Sequence, residues 1–207
     1  MATPSAASGR NLRRDRHDRI LTAALSAFVE VGFERASVDD IAARAGVSKA
    51  TLYNHFEDKK GLFVECALRQ AEDLQAVADD LARHPSTGVD DDLQAFGERV
   101  LRFLLSPTNL AMRRVITAEV ARFPELGQAV FERCLRPVQV SMELFFRERQ
   151  AALAIPDPRL AAVHFLALCE SDLFWRVALG ILRAVPEEAI RDAVSQAVAL
   201  FTQAYRR

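Results

Sequence analysis

Apolar residues recur every three or four positions along most of this chain, and strict alternation is nowhere sustained. That period predicts helices rather than strands. Ile20, Leu21, Ala24, Leu25 and Phe28 form one stripe, which predicts a first helix from about Arg16 to Val31 that stops at Gly32. Ser37 offers an N-cap, with Asp40 three residues later as a weak capping box. Ile41, Ala42 and Ala45 give the next helix, Val38 to Ala45, its apolar face, and Gly46 ends it. Ser48 caps a helix of only about seven residues. Asp58 caps a fourth, running to about Arg83 with Leu62, Phe63, Cys66, Leu74, Val77 and Leu81 inward.

The stretch His84 to Asp92 reads as a linker. Helical spacing resumes from Asp92 to Leu105, breaks at Ser106-Pro107, and returns from Asn109 to Arg122 until Pro124. A long helix from about Glu125 to Gln150 contains Pro137, which predicts a kink. After the break at 155–158 two more helices follow, about 158–182 and 187–205, separated by Pro186. The pattern therefore predicts an all-α chain of nine helices.

Composition agrees with this reading: half of the 207 residues are hydrophobic, and Gly and Pro number only eight each. The formal net charge of −1 excludes a non-specific polycation, with +2 over residues 1–60 and −3 over the rest. Nucleic-acid binding would have to come from a local patch. Cys66, Cys134 and Cys169 are far apart among apolar neighbours, which predicts free thiols in a reducing compartment. Asp15, Asp18 and Glu30 interrupt the one N-terminal stretch that could mimic a secretory signal. No run reaches eighteen uncharged apolar residues, so no membrane span is expected and the cytoplasm is the expected location.

The chain has three lysines, Lys49, Lys59 and Lys60, and all fall within residues 46–63, GVSKATLYNHFEDKKGLF. Two helices joined by a Gly-containing turn fit a helix-turn-helix, whose second helix enters the major groove N-terminal end first. Val47, Leu52 and Phe56 can form its inner face, leaving Ser48, Lys49, Ala50, Thr51, Tyr53, Asn54 and His55 at its start or outer face. Lys can donate to guanine, and Thr and Ala methyls can touch thymine. Ser, Tyr and His can donate to phosphate oxygens. Lys59 and Lys60 open a helix, where the dipole disfavours cations. That placement suits a phosphate clamp; the plain alternative is a solvated helix start.

The segment SVDDIAARAGVSKATLYNHFEDKKGLF resembles the signature of the TetR family of bacterial transcriptional regulators, densely from about Arg16 to Glu65. The resemblance implies a flexible basic arm over 1–15, a helix-turn-helix domain over 16–62, and a ligand-sensing and dimerising domain over 63–207. By position it places Lys49, Ala50, Thr51 and Asn54 where the family reads bases, and Ser48, Tyr53, His55 and Lys59 where it grips phosphates. Asp39 departs from the founding member, which has a base-contacting arginine there, so base readout is expected to narrow to the recognition helix. Arg10, Arg13 and Arg14 would form the arm along the DNA.

In the C-terminal part, Phe103, Met112, Ile116, Phe131, Met142, Phe146, Phe165 and Cys169 are spaced to face one interior. Most such residues are plain core, yet a set rich in Phe and Met could line a pocket for an apolar or aromatic effector. Glu170 or His164 could orient a polar group of that effector, while Asp172 has Arg176 one turn on as a partner. The last helix carries Ile190, Ala193, Val194, Ala197, Val198 and Phe201 in a wide stripe. Paired with helix 158–182 across a two-fold axis, that stripe would make a four-helix dimer interface.

The expected function is a homodimeric repressor on a palindromic DNA operator, released by a small, largely apolar or aromatic effector. A DNA-binding protein without an effector, governed by a protein partner or its own concentration, is the alternative. An enzyme is not expected: paired Glu-x-x-His motifs, Cys/His metal spacing, a Gly-rich phosphate loop and a Gly-x-Ser-x-Gly elbow are missing from the sequence. No metal or cofactor is expected either.

Overall fold

The computed structural model describes residues 6–86, 88–149 and 153–205, with side chains from Arg13 onward in the first helix. The helices are α1 (Ala6–Arg35), α2 (Val38–Ala45), α3 (Lys49–Tyr53), α4 (Lys59–Arg83), α5 (Val89–Leu105), α6 (Pro107–Glu119), α7 (Pro124–Val130), α8 (Arg136–Glu148), α9 (Pro158–Ala178) and α10 (Glu187–Tyr205). A π-helical turn, Phe131–Leu135, joins α7 to α8. With Pro124–Glu148 taken as one interrupted run, the described residues hold the nine helices that the pattern predicts, and no β-strand.

Several boundaries differ from the sequence reading; α6 spans Pro107–Glu119 rather than Asn109–Arg122. Helical backbone reaches back to Ala6, so Arg13 and Arg14 sit on a helix rather than on an extended arm. The side chain of Arg10 and residues 1–5 lie outside the described residues. α5 starts at Val89 rather than Asp92, with Asp90, Asp91 and Asp92 in its first turn, where the helix dipole favours acids. α9 ends at Ala178, because Gly180 (φ 74°) turns the chain and Ile181 N–H donates back to Arg176 O at 2.8 Å. α9 is also broken at Ser171 (φ 25°), a break that no glycine or proline announces. Pro137 does interrupt its helix as expected. It cannot donate to the carbonyl one turn back, and the backbone there widens into the π turn.

The chain divides into two compact units, one of residues up to Arg69 together with Ala111–Val130, the other of Gln70–Leu110 and Phe131–Arg207. This division departs from a cut at 62/63. α4 contributes to both units, and the segment 111–130 joins the N-terminal one.

The first unit packs around Phe28, Phe33 and Phe63, with ring centroids 5.0 Å apart for Phe28–Phe63 and 5.4 Å for Phe33–Phe63. Phe123 reaches Phe33 at 5.4 Å, and Glu119 accepts a hydrogen bond from Glu34 N–H at 3.1 Å. Burial pushes the Cys66 thiol up to about 12.

In the second unit α5, α8, α9 and α10 enclose a core that includes Phe96, Phe146, Phe165 and Phe201. Gly97 is required by close approach: a Cβ there would lie 2.6 Å from Val194 Cγ1 and 3.3 Å from Cys169 Sγ. Two groups of sequence-predicted residues need correction here. Ile190, Val194, Ala197, Val198 and Phe201 are buried within the single chain, so they are core and cannot form a dimer face. The eight residues read as facing one interior are also divided: Met142, Phe146, Phe165 and Cys169 share the core and Phe103 packs against it. Met112 and Ile116 belong to the other unit, and Phe131 is 43% exposed. Glu170 is half-buried. His164 Nδ1 meets Tyr205 OH at 2.8 Å, and Asp172 pairs with Arg176 at 3.8 Å.

Candidate nucleic-acid interface

The region from Ser37 to Asn54 is built by caps. Ser37 Oγ accepts from Asp39 N–H at 3.2 Å and starts α2. Gly46 (φ 64°) ends it, with Val47 N–H bonded back to Ala42 O at 3.0 Å. Arg19 of α1 locks this turn by donating to Ala45 O at 2.5 Å and Gly46 O at 3.3 Å. Any Cβ at position 46 would come within 2.8 Å of that guanidinium. Ser48 caps α3 by accepting from Thr51 N–H at 3.1 Å, and its hydroxyl shares a 2.8 Å hydrogen bond with that of Thr51.

Leu52 and Phe56 are buried and hold α3 from beneath. Ser48, Lys49, Ala50, Tyr53 and Asn54 lie exposed, with Thr51 and His55 half-buried, so the outer face holds the residues the spacing predicts. Tyr53 is 45% exposed, enough for its phenol to reach a partner.

Lys49 Nζ lies 3.0 Å from Asp39 Oδ2, and this hydrogen bond raises the lysine's pKa. The ion pair joins the start of α3 to the start of α2. Arg44 ties α2 to α1 through Glu30 at 2.6 Å and also meets Asp40 at 2.8 Å.

Lys59 differs from its expected role. Its ammonium donates to Glu34 O at 2.9 Å and Ala36 O at 3.3 Å, and lies 4.8 Å from the Phe33 ring centroid. It thus caps the end of α1, and burial lowers its pKa. Two protons are engaged internally, which limits Lys59 as a phosphate clamp. Lys60, beside it, is exposed. An open groove of about 290 Å³ lies here, lined by Phe33, Phe123, Leu126 and the two lysines among others.

His55 lies 6.0 Å, ring to ring, from His17, which stacks on Phe56 at 5.0 Å. Burial first, then the charges of His17, Arg13 and Arg16, lower the His55 pKa below the usual 6.5. The unfolded chain therefore takes up this proton before the folded one does. The contribution to stability is full above about pH 6.5 and is lost as pH falls toward the depressed value. Thermal melts at pH 7.5 and 5.5 should show a smaller pH-induced loss in His55→Gln than in the wild type. An equal loss would mean His55 titrates normally.

Sequence reasoning missed Arg19, His17 and the partnership of Asp39. The first two lie on the first helix at the spacing of its polar face, which carries no sign of what they touch.

Known proteins resemble this chain in sequence and in fold. Residues 20–66 match the family of bacterial regulatory proteins of the tetR type, and residues 91–207 match the C-terminal domain of AefR-like transcriptional repressors. The chain belongs to the TetR family, whose members are helix-turn-helix transcriptional regulators. Among solved structures, the flavonoid-responsive regulator FrrA is 32% identical, with a TM-score of 0.75 over 92% of this chain and 97% of that one. A TetR-family regulator from Mesorhizobium loti MAFF303099 is 25% identical, with a TM-score of 0.82 over 94% and 98%. The transcriptional repressor Rv1474c of Mycobacterium tuberculosis is 27% identical over 80% of this chain and 83% of its own length. The transcriptional activator FasR of Mycolicibacterium smegmatis is 43% identical, but that match spans only 32% of this chain and 31% of FasR. Among the described residues no helix is long and apolar enough to cross a membrane.

Proposed function

We propose that this protein is a cytoplasmic, homodimeric repressor that binds a palindromic DNA operator and is released by a small apolar or aromatic molecule. The observation that carries the DNA reading is α3 itself: Leu52 and Phe56 anchor it from beneath, while Lys49, Ala50, Tyr53 and Asn54 project from its exposed side. An N-terminal lysine on a short exposed helix suits entry into the major groove. Ser48, Lys49, Ala50, Thr51, Tyr53, Asn54 and His55 are the proposed contacts, with Lys60 taking the phosphate role first expected of Lys59.

A dimer is the natural partner of a palindrome, since two recognition helices must reach half-sites about one helical turn apart. The exposed apolar residues Leu160 and Trp175 of α9 and Leu200 of α10 support a dimer face on these helices, in place of the buried stripe. Repression is supported by the match to AefR-like repressors.

The effector reading draws on FrrA, described as flavonoid-responsive, and on a polar cluster between α4 and α8. Ser141, 5% exposed, donates to Asp79 Oδ1 at 2.5 Å, and Gln75 Nε2 donates to the same oxygen at 2.6 Å. The amide of Gln75 is thereby fixed in orientation, and its buried Oε1 has no hydrogen-bond partner. A phenolic hydroxyl is the kind of donor such an acceptor takes. One observation favours the second reading, a regulator without an effector. Phe146, Phe165, Cys169, Val194 and Phe201 fill the centre of the second unit around Gly97.

The test is selection of genomic DNA fragments by the purified full-length protein, then anisotropy against random duplex at several salt concentrations. Enrichment of one palindromic motif with about a thousandfold preference supports the operator reading. Uniform weak binding overturns it. Titrating flavonoids into the complex separates the two effector readings: release favours the first and persistence the second.

A further inference from the structure

We propose that Asp39 and Lys49 act as one reading unit, which recognises a G·C base pair in each half-site through guanine on the lysine and cytosine on the aspartate. The inference rests on the operator-binding reading above and deepens it. Sequence comparison by position removes Asp39 from DNA readout, because a carboxylate cannot replace a base-contacting arginine. The geometry points the other way.

Asp39 Oδ2 and Lys49 Nζ are 3.0 Å apart, with 68% and 52% of the two side chains exposed. They come from different helices and meet at the N-terminal end of α3, the end that enters the groove first. An exposed ion pair of this kind adds little to stability. The turn between α2 and α3 is already held by Gly46, with Val47 N–H bonded back to Ala42 O, and by Arg19, which donates to Ala45 O and Gly46 O. The pair is therefore not needed to hold the fold.

Its chemistry suits the edge of a base pair. The major-groove edge of guanine offers the acceptors O6 and N7, and the cytosine paired with it offers the N4 amino donor. A lysine donor beside a carboxylate acceptor is the complementary arrangement. Lysine donates to guanine and aspartate accepts from cytosine. Against the phosphate backbone the same pair is nearly silent: the carboxylate is repelled by phosphate and offsets the lysine's attraction. The pair thus exchanges sequence-independent affinity for discrimination. Asp39 also faces the positive end of α2 and offsets a cation placed in the first turn of α3.

Selection from a randomised duplex library by full-length wild type, Asp39→Asn, Asp39→Ala and Lys49→Met tests this. The wild type is expected to select G·C at one position of each half-site. Asp39→Asn should lose about tenfold or more of the discrimination at that position, with gain of adenine tolerated by the amide, and leave other positions intact. Lys49→Met should relax the same base pair. Asp39→Ala should bind random DNA more tightly, with a salt slope steeper by about one, because Lys49 becomes available to phosphate. Thermal melts of each variant establish that it is folded. An unchanged motif in Asp39→Asn, or relaxation at different base pairs by the two single variants, overturns the proposal while leaving operator binding intact. Absence of any motif with the wild type overturns both.

Discussion

Phe201→Ala should lower the stability of the protein by about 3–5 kcal/mol, the usual cost of removing a buried aromatic ring. Phe201 is 1% exposed and packs against Phe146 at 5.1 Å, Phe165 at 5.4 Å and Tyr205 at 4.7 Å between ring centroids. The neighbouring rings come from α8, α9 and α10, so collapse of the resulting cavity would have to move three helices. Urea unfolding followed by far-UV circular dichroism measures the loss. The adjacent Leu200, 59% exposed, is the control. Leu200→Ala should leave the protomer's packing intact and shift self-association, read by sedimentation across protein concentrations. If Phe201→Ala instead changed self-association with little effect on urea resistance, its ring would belong to a subunit interface and not to the core.

That contrast shows where sequence reading reaches its limit. A stripe such as Ile190, Val194, Val198 and Phe201 states that one side of α10 must be covered. It does not state whether α5 and α9 of the same chain or a second copy covers it. Local signals were far more legible. Gly46, Ser37 and Ser48 each end or start a helix where their own backbone and side-chain chemistry requires, and Gly32 (φ 85°) breaks α1 at the expected place although helical backbone resumes to Arg35. Leu52 and Phe56 were legible as the inner face of α3 for the same reason: the period is short. Gly180 carried an equally readable stop for α9, which the apolar run of Leu179, Ile181 and Leu182 obscured. The break at Ser171 had no local signal. The internal contacts of Lys59 escaped sequence reading because its acceptors, the carbonyls of Glu34 and Ala36, are distant in sequence and expose no side-chain pattern. The ion pair of Asp39 with Lys49 escaped for a related reason: a residue judged alone against a family position hides a partner ten residues away.

The segment from His84 to Asp92 carries the same lesson into energetics, because its composition reads as a linker and its geometry does not. Asp92 accepts Ser86 N–H at 3.0 Å and pairs with Arg149 at 3.1 Å. Only 10% of the Asp92 side chain and 15% of the Arg149 side chain are exposed. The same guanidinium donates to Ser86 O and lies 5.4 Å from the Phe145 ring centroid. A single carboxylate thus ties the start of α5 to the segment before it and to the residue that closes α8. Asp92→Ala leaves the guanidinium enclosed without its counter-charge, and removal of one partner from a buried pair costs about 3–5 kcal/mol. Asp92→Asn keeps the shape and one acceptor and should lose less, because the bond to Ser86 N–H survives. Chemical unfolding ranks the three proteins, and limited proteolysis locates the damage. The alanine variant should be cleaved near residues 84–88 under conditions where the wild type resists. Equal stability of all three would mean that solvent reaches the Arg149 charge freely and that the segment is a linker after all.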